Sequence, residues 1–259
     1  MPFIQLIFNK PIFDMAFLWK IIDNCKYSKA MKKVINIIIG FLLVTAVVLS
    51  GLLLFNKFYY TPFWVNGQSM YPTLNGEAKY SNGTLIGEYN SHGEETNIYD
   101  VDYGMMDEHQ KAIDNIKRFD IVICKYNSSQ ASYNIKRVLA LPGETFYINN
   151  TDDNGSLYVL NDKSQKFELI EQPLDKSLVA NGEYFDKNAT ATTLKDNEYF
   201  VVGDNRKHGL SYDSRKVGPI TKDLILGVAK YICGKAKIGI NDQGIYGPID
   251  IRYHFPTFI

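Results

Sequence analysis

The chain has 259 residues, enough for one or two folded domains, and its 28 basic side chains are balanced by 28 acidic ones. With no basic field to hold a polyanion, nucleic acid is not an expected partner. Three cysteines are too few for a disulfide framework, and no paired cysteines or histidine clusters show metal-ligand spacing, so no metal or other cofactor is expected.

Residues 1–30 are apolar in two stretches, 3–8 and 12–22, but Lys10, Pro11, Asp14 and Lys20 interrupt them. They read as an interfacial segment rather than a span. Met31-Lys32-Lys33 resembles a natural start, so the first thirty residues are expected to be dispensable or untranslated. Between Lys33 and Lys57 no residue is charged. A helix over residues 34–55 would span roughly 33 Å, enough for the hydrocarbon core of a bilayer. A buried core helix rarely runs so long without a charge. A cleaved leader would have a shorter apolar core and a small-residue cleavage site after it, and none follows. The expected organisation is a cytoplasmic segment over residues 1–33, a permanent membrane anchor over 34–56, and an extracytoplasmic domain over 57–259. The orientation follows from Lys20, Lys26, Lys29, Lys32 and Lys33 on one flank against Lys57 on the other. Phe58, Tyr59, Tyr60, Phe63 and Trp64 read as an aromatic belt at the outer headgroups.

A short stretch follows at once: Gly67-Gln68-Ser69-Met70-Tyr71-Pro72-Thr73-Leu74. Gly67 and Pro72 shape a backbone rather than fill a core. They flank a serine that lies a few residues from the membrane surface. Residues 76–117 are polar and read as an elaborated connection, with short strand character at 84–88 and a short helix at 107–117. His92 and His109 fall here and are expected in solvent.

Residues 118–126 and 133–140 are two strands by their β-branched content, joined as a hairpin and ended by Pro142-Gly143. Strand alternation sends the neighbours Lys136 and Arg137 to opposite faces. Taken alone, this periodicity favours an edge strand whose lysine reaches out to water. Residues 145–198 contain several short alternating runs between Asn, Asp and Gly turns and read as a small β cap inserted into the main sheet. Asn188 begins a glycosylation-acceptor pattern too common to weigh. A strand at 199–202 leads into a loop over 203–215 in which Asp204, Arg206, Asp213 and Arg215 alternate as potential ion pairs around Ser211. Residues 224–231 lead to a last strand. The tail, 234–259, is too broken for a second span. Cys124 and Cys233 lie in apolar runs and read as buried free thiols, with a bridge between them as the alternative.

A serine nucleophile needs a base. His208 lies near the polar loop but has no orienting acid at fixed spacing. Lys136 is the better base if it is desolvated. A free lysine has a pKa of about 10.4, and bringing it to about 8 costs roughly 3 kcal/mol, which apolar burial can supply. An unpaired carboxylate nearby would undo the shift, so Asp204 and Asp213 must be neutralised, and Arg137, Arg206 and Arg215 are available for that.

Four stretches, in order after an apolar anchor, carry a family resemblance: G-x-S-M-x-P-T-L, R-x-D-I-V, Y-x-I-K-R-V-x-x-L-P-G and G-D-N-R…S-x-D-S-R. Together they resemble the bacterial type I signal peptidases over about residues 34–230. The resemblance implies a mainly β fold, an antiparallel β catalytic domain with a small inserted β cap over 145–198, preceded by one transmembrane helix. It implies Ser69 as nucleophile, Lys136 as general base, and Ser211 as the serine whose hydroxyl orients that lysine, with Ser214 the fallback. Asp204, Arg206, Asp213, Arg215 and Arg137 would be structural ion pairs, and Gly67, Gln68, Met70 and Pro72 would contact substrate. The implied activity is cleavage of secretory signal peptides after small residues, Ala-x-Ala. The implied partners are those signal peptides, the lipid bilayer and the protein translocation machinery.

The chain departs from the family pattern in three places. Phe119 stands where R-G-D has glycine, two extra residues separate Arg206 from Ser211, and Gly67 replaces a serine that helps the oxyanion hole in some relatives. The hole would then rest on backbone N–H groups, that of Ser69 first. Two other classes stay open: a membrane-anchored homologue that binds exported proteins without cutting them, and, more remotely, a Ser–Lys autoprotease of the repressor type, in which a DNA-binding helical domain takes the place of the membrane span. A sortase is disfavoured because Cys124 and Cys233 have no matching His and Arg.

Overall fold

The computed structural model describes residues 28–76, 80–81, 84–85, 98–127, 129, 132–149, 155–174, 190–206, 209–240 and 243–259. The expectations placed on residues 1–27, His92, Asn188 and His208 lie outside these. The chain divides into two compact units, Met1–Phe58 and Tyr59–Ile259.

The first unit contains nearly all of one helix, α1 (Lys29–Tyr59). Its stretch Lys29–Leu52 is long and apolar enough to cross a membrane, and none of its most apolar window is buried within the protein. Leu and Ile exposed along a helix this long fit hydrocarbon rather than water. Thr45 and Ser50 return their hydroxyls to the carbonyls of Phe41 and Ala46, so neither offers an unsatisfied polar group to lipid.

The second unit is built on an eight-stranded antiparallel sheet in the order β1 (Thr61–Trp64), β4 (Tyr99–Asp107), β13 (Ile225–Ile240), β5 (Ile121–Cys124), β6 (Asn134–Ala140), β11 (Glu198–Val202), β12 (Ile220–Thr221). The eighth strand, β14 (Tyr246–Phe258), pairs with β13. β13 is the spine. Its start pairs with β5, its outer part pairs with β14 along the same edge, and β4 runs down the other edge. A second sheet joins β10 (Thr192–Thr193), β7 (Thr145–Asn149), β8 (Ser156–Asn161) and β9 (Lys166–Ile170). β2 (Tyr80–Ser81) and β3 (Thr84–Leu85) pair only with each other. Short helices α2 (Gln110–Asp114) and α3 (Ser214–Val217) complete the unit.

Three segments differ from the sequence reading. The polar connection contains β4, a nine-residue strand buried over most of its length. The broken tail contains the outer half of β13 and all of β14, one long hairpin. β6 is no edge strand: it lies between β5 and β11 and is buried on both faces from Lys136 onward. Val138 packs on one face with Val122, Cys124 and Val201. Ile135 packs on the other with Ile121, Ile123 and Met70. A lysine here therefore has no route to water along the sheet edge.

Candidate active site

The stretch around Ser69 is a tight turn anchored by its apolar residues. Met70 and Leu74 are fully buried in the cluster with Phe63, Val65 and Ile121. Tyr71 N–H donates to the Gln68 carbonyl at 3.0 Å, Leu74 N–H donates to that of Met70 at 2.9 Å, and the Tyr71–Pro72 peptide is cis. With both apolar neighbours turned inward, Ser69 is left half-exposed at the rim of a cleft of about 390 Å³. The cleft is walled by Phe63 and Trp64 of β1 on one side and by Tyr133, Asn134 and Ile135 at the start of β6 on the other.

Lys136 reaches Ser69 from β6. Its Nζ lies 2.8 Å from Ser69 Oγ and donates to the Ile135 carbonyl at 2.7 Å. Among the described residues no other side chain hydrogen-bonds Ser69 Oγ. Lys136 is 2% exposed. Burial pulls its pKa from 10.5 down to about 8; Arg215 assists, while Cys124, Asp213 and Asp204 push the other way. Cys124 belongs to the apolar cluster with Val122 and Val138, and burial pushes its thiol up to about 12. Cys124 and Cys233 are both free.

The acids near the amine are taken up by arginines. Arg137, on the opposite face of β6, grips Asp204 through Nε (2.8 Å) and Nη2 (2.6 Å). Arg215 grips Asp213 through Nε (2.8 Å) and Nη2 (2.7 Å). Burial would raise the Asp213 pKa, but the Arg215 hydrogen bonds outweigh it and hold the carboxyl below its usual range. Asp213 also caps α3 by accepting from Arg215 N–H, and it accepts from Gly203 N–H at 2.9 Å. Arg206 forms neither of these pairs. It is 1% exposed, donates through Nη2 to Gln172, and among the described residues leaves Nε and Nη1 without a hydrogen-bond partner. Burial draws its pKa to about 10.

Ser211 is not hydrogen-bonded to Lys136. Its hydroxyl donates to Asp213 Oδ2 at 2.5 Å. It remains beside the Ser69 segment, because a Cβ on Gly203 would fall 2.2 Å from Ser211 Oγ and 2.3 Å from the Ser69 carbonyl oxygen. Only a glycine lets the end of β11 pass between them. The fallback, Ser214, is committed elsewhere: its Oγ accepts from Val201 N–H at 3.0 Å. Met70 is fully buried, and Gly67, Gln68 and Pro72 are not among the residues that line the cleft. His109 bonds Asp107 at 2.8 Å and stacks on Tyr59.

Sequence reasoning missed two asparagines. Asn205 ties the polar loop to the Ser69 turn, donating from its backbone to the Ser69 carbonyl (3.0 Å) and from Nδ2 to that of Gln68 (3.1 Å). Asn75, directly after the serine motif, is fully buried with φ 57°. Asn is the residue after glycine that best tolerates that backbone, which was the available signal.

Residues 34–233 match the family profile described as "Signal peptidase, peptidase S26". The chain is 32% identical over 213 residues to signal peptidase I T of Bacillus subtilis (strain 168), spanning 81% of this chain and 92% of that protein. It is 31% identical over 192 residues to signal peptidase I S of the same organism, spanning 73% and 84%. A crystal structure of a signal peptidase I from Enterococcus faecalis V583 aligns at 25% identity and a TM-score of 0.32, covering 44% of this chain and 96% of that one.

Proposed function

Because the chain belongs to the signal peptidase family, peptidase S26, we propose that Ser69 and Lys136 are its nucleophile and general base. The enzyme is a membrane-anchored serine peptidase that removes signal peptides from exported proteins. One observation carries the assignment of residues: a lysine 2.8 Å from a serine hydroxyl, sealed from water, with its pKa brought to about 8.

Neutral Lys136 takes the Ser69 proton as Oγ attacks the scissile carbonyl, and the oxyanion is received by backbone N–H groups, that of Ser69 first. The lysine then protonates the leaving amine and activates the water that releases the acyl group. An extended signal peptide fits the cleft between β1 and the start of β6, where main-chain hydrogen bonding would align it with Ser69. Asp204 and Asp213 do not re-protonate the base because each is matched by its own arginine. With Ser211 bonded to Asp213, its support of Lys136 is indirect: it fixes the loop that lies against the amine.

Lysine asymmetry around α1 orients the N-terminus to the cytoplasm and residues 57–259 outside. On this reading residues 1–33 are a cytoplasmic segment, 34–56 the anchor, and 145–198 a cap on the catalytic domain. A preprotein would meet the enzyme as it leaves the translocation machinery. The test is cleavage of a purified preprotein by the full chain in detergent or lipid. Ser69→Ala and Lys136→Ala should each lose activity by at least about 10³-fold while remaining folded. Wild-type cleavage by either folded variant overturns the assignment.

A further inference from the structure

Three residues distant in sequence form one continuous polar connection to the nucleophile turn. Asn75 and Asp102 are locked face to face: Asn75 N–H donates to Asp102 Oδ2 at 2.6 Å, and Asp102 N–H donates to Asn75 Oδ1 at 2.7 Å. Asn75 Nδ2 then spends both hydrogens on the turn, donating to the Val65 carbonyl at 2.6 Å and the Gly67 carbonyl at 3.1 Å. From the other side, Lys235 Nζ lies 2.6 Å from Asp102 Oδ1. Every polar atom of the Asn75 side chain is used, and it is 0% exposed. Lys235 belongs to β13 and lies just beyond the residues that match the family profile.

The cost of this arrangement says what it is for. A buried, left-handed asparagine and a carboxylate that is 6% exposed are poor choices for filling space. An apolar residue could fill that volume, but it could not fix the direction of two carbonyls. The Gly67 carbonyl is two residues before Ser69, and the backbone at Gly67 is itself left-handed at φ 108°. An unrestrained glycine there would let the turn swing. The Ser69 carbonyl is held from the opposite side by Asn205.

We propose that Asn75 is a positioning residue for the cleavage reaction, setting the direction of the Gly67 peptide and through it the place of Ser69 Oγ against Lys136. Asp102 and Lys235 brace it from β4 and β13. This rests on the reading of Ser69 as nucleophile. A displacement of about 1 Å in a reacting group can cost about 10²-fold in rate.

The test uses the full chain in detergent micelles, a preprotein substrate, and rates normalised to the folded fraction. Asn75→Gly keeps the backbone conformation and removes the side-chain bonds. Asn75→Asp keeps the acceptor and loses both donors to Val65 and Gly67. Each should lower kcat by about 10- to 100-fold, with KM within about threefold and the acid limb of the pH profile where it stands in the wild type. A role confined to stability would lower the folded fraction and leave kcat per folded molecule unchanged, which overturns the proposal; so does a loss expressed wholly in KM. Should both variants fail to fold, Lys235→Met, altered at a partly exposed position, takes their place: kcat should fall by about three- to tenfold, and an unchanged kcat overturns the proposal. Ser69→Ala on the same substrate separates the two readings. Cleavage by that variant removes the nucleophile assignment itself, whereas an inactive Ser69→Ala beside a wild-type Asn75→Gly removes the clamp alone.

Discussion

The two faces of β6 handle a buried cation in opposite ways. Lys136 and Arg137 are neighbours on one strand, 2% and 7% exposed. Arg137 meets a carboxylate in a two-point grip and is a fixed piece of structure. Lys136 meets a hydroxyl, a carbonyl and apolar side chains, and its pKa falls to about 8. Burial is common to both faces; the counter-charge is what differs. A buried amine without a carboxylate is a base, and a buried guanidinium with one is a brace. The arrangement requires the acids to be spent on the arginine side, because a free carboxylate near Lys136 would hold it protonated.

The largest effect should come from breaking the brace. Arg137→Met leaves Asp204 buried without its hydrogen-bonded partner, and truncating one partner of such a pair costs about 3–5 kcal/mol. Denaturant unfolding should show that loss, and cleavage should fall with it because the loop carrying Asp204 also carries Asn205, which holds the Ser69 carbonyl. The double variant Arg137→Met with Asp204→Leu should recover most of the stability. An unfolding midpoint equal to wild type in the single variant would mean that the pair does not hold this face.

Converting the other face should act in the opposite direction on stability. The folded pKa of Lys136, about 8, lies below its ordinary value of 10.5. Below pH 8 the amine is protonated in both states, and the folded state carries the full cost of burying an ammonium. Between pH 8 and 10.5 the unfolded chain binds more protons, so wild-type stability rises with pH across that window. Lys136→Met should be inactive, more stable than wild type by about 3 kcal/mol at pH 7, and free of that rise. In the wild type, kcat/KM should climb about tenfold per pH unit up to about pH 8, where the base becomes neutral. A flat profile between pH 6 and 9 would mean that Lys136 does not supply the base.

The closeness of Ser69 and Lys136 was legible in the sequence, whereas their surroundings were legible only in part. Alternation sends Lys136 and Arg137 apart in any strand, so two environments were foreseeable. Which of them was packed was not, because that depends on neighbours supplied by β5 and β11. The arginine partners were misassigned at Arg206, since a loop of alternating charges admits several pairings and only folded distances choose among them. β4 was missed although Tyr99, Val101, Tyr103 and Met105 alternate with Asp100, Asp102 and Gly104 as strand residues do, because the polar stretch around it outweighed that local signal; Asp102 sits there to meet Asn75 and Lys235. β14 was missed because, with Phe255 and Phe258 exposed, its pattern has no buried face to read. The outer half of β13 has one, with Ala236 and Ile238 buried in alternation with Lys235 and Lys237, but the stretch is short and broken by glycines.

The smallest effect tests whether the brace depends on backbone or side chain. Phe119, where the family motif has glycine, adopts φ 73°. Its carbonyl accepts from Arg137 Nη1 at 2.8 Å, and its N–H donates to the Val138 carbonyl at 2.8 Å. The left-handed backbone aims that carbonyl at the guanidinium, and any residue able to hold the conformation would do so. For phenylalanine the conformation costs roughly 1–2 kcal/mol. Against this, its partly buried ring packs on the cluster containing Leu139 and Phe146 and contributes half of a full burial, about 1 kcal/mol. Phe119→Gly removes both terms and frees the unfolded chain by about 0.4–1 kcal/mol, so stability should shift by no more than about 1 kcal/mol. Since Arg137 keeps its carbonyl partner, kcat/KM should stay within about twofold of wild type. A loss beyond about tenfold in a folded variant would mean that the ring, rather than the peptide it carries, fixes Arg137 and with it the charge balance across β6.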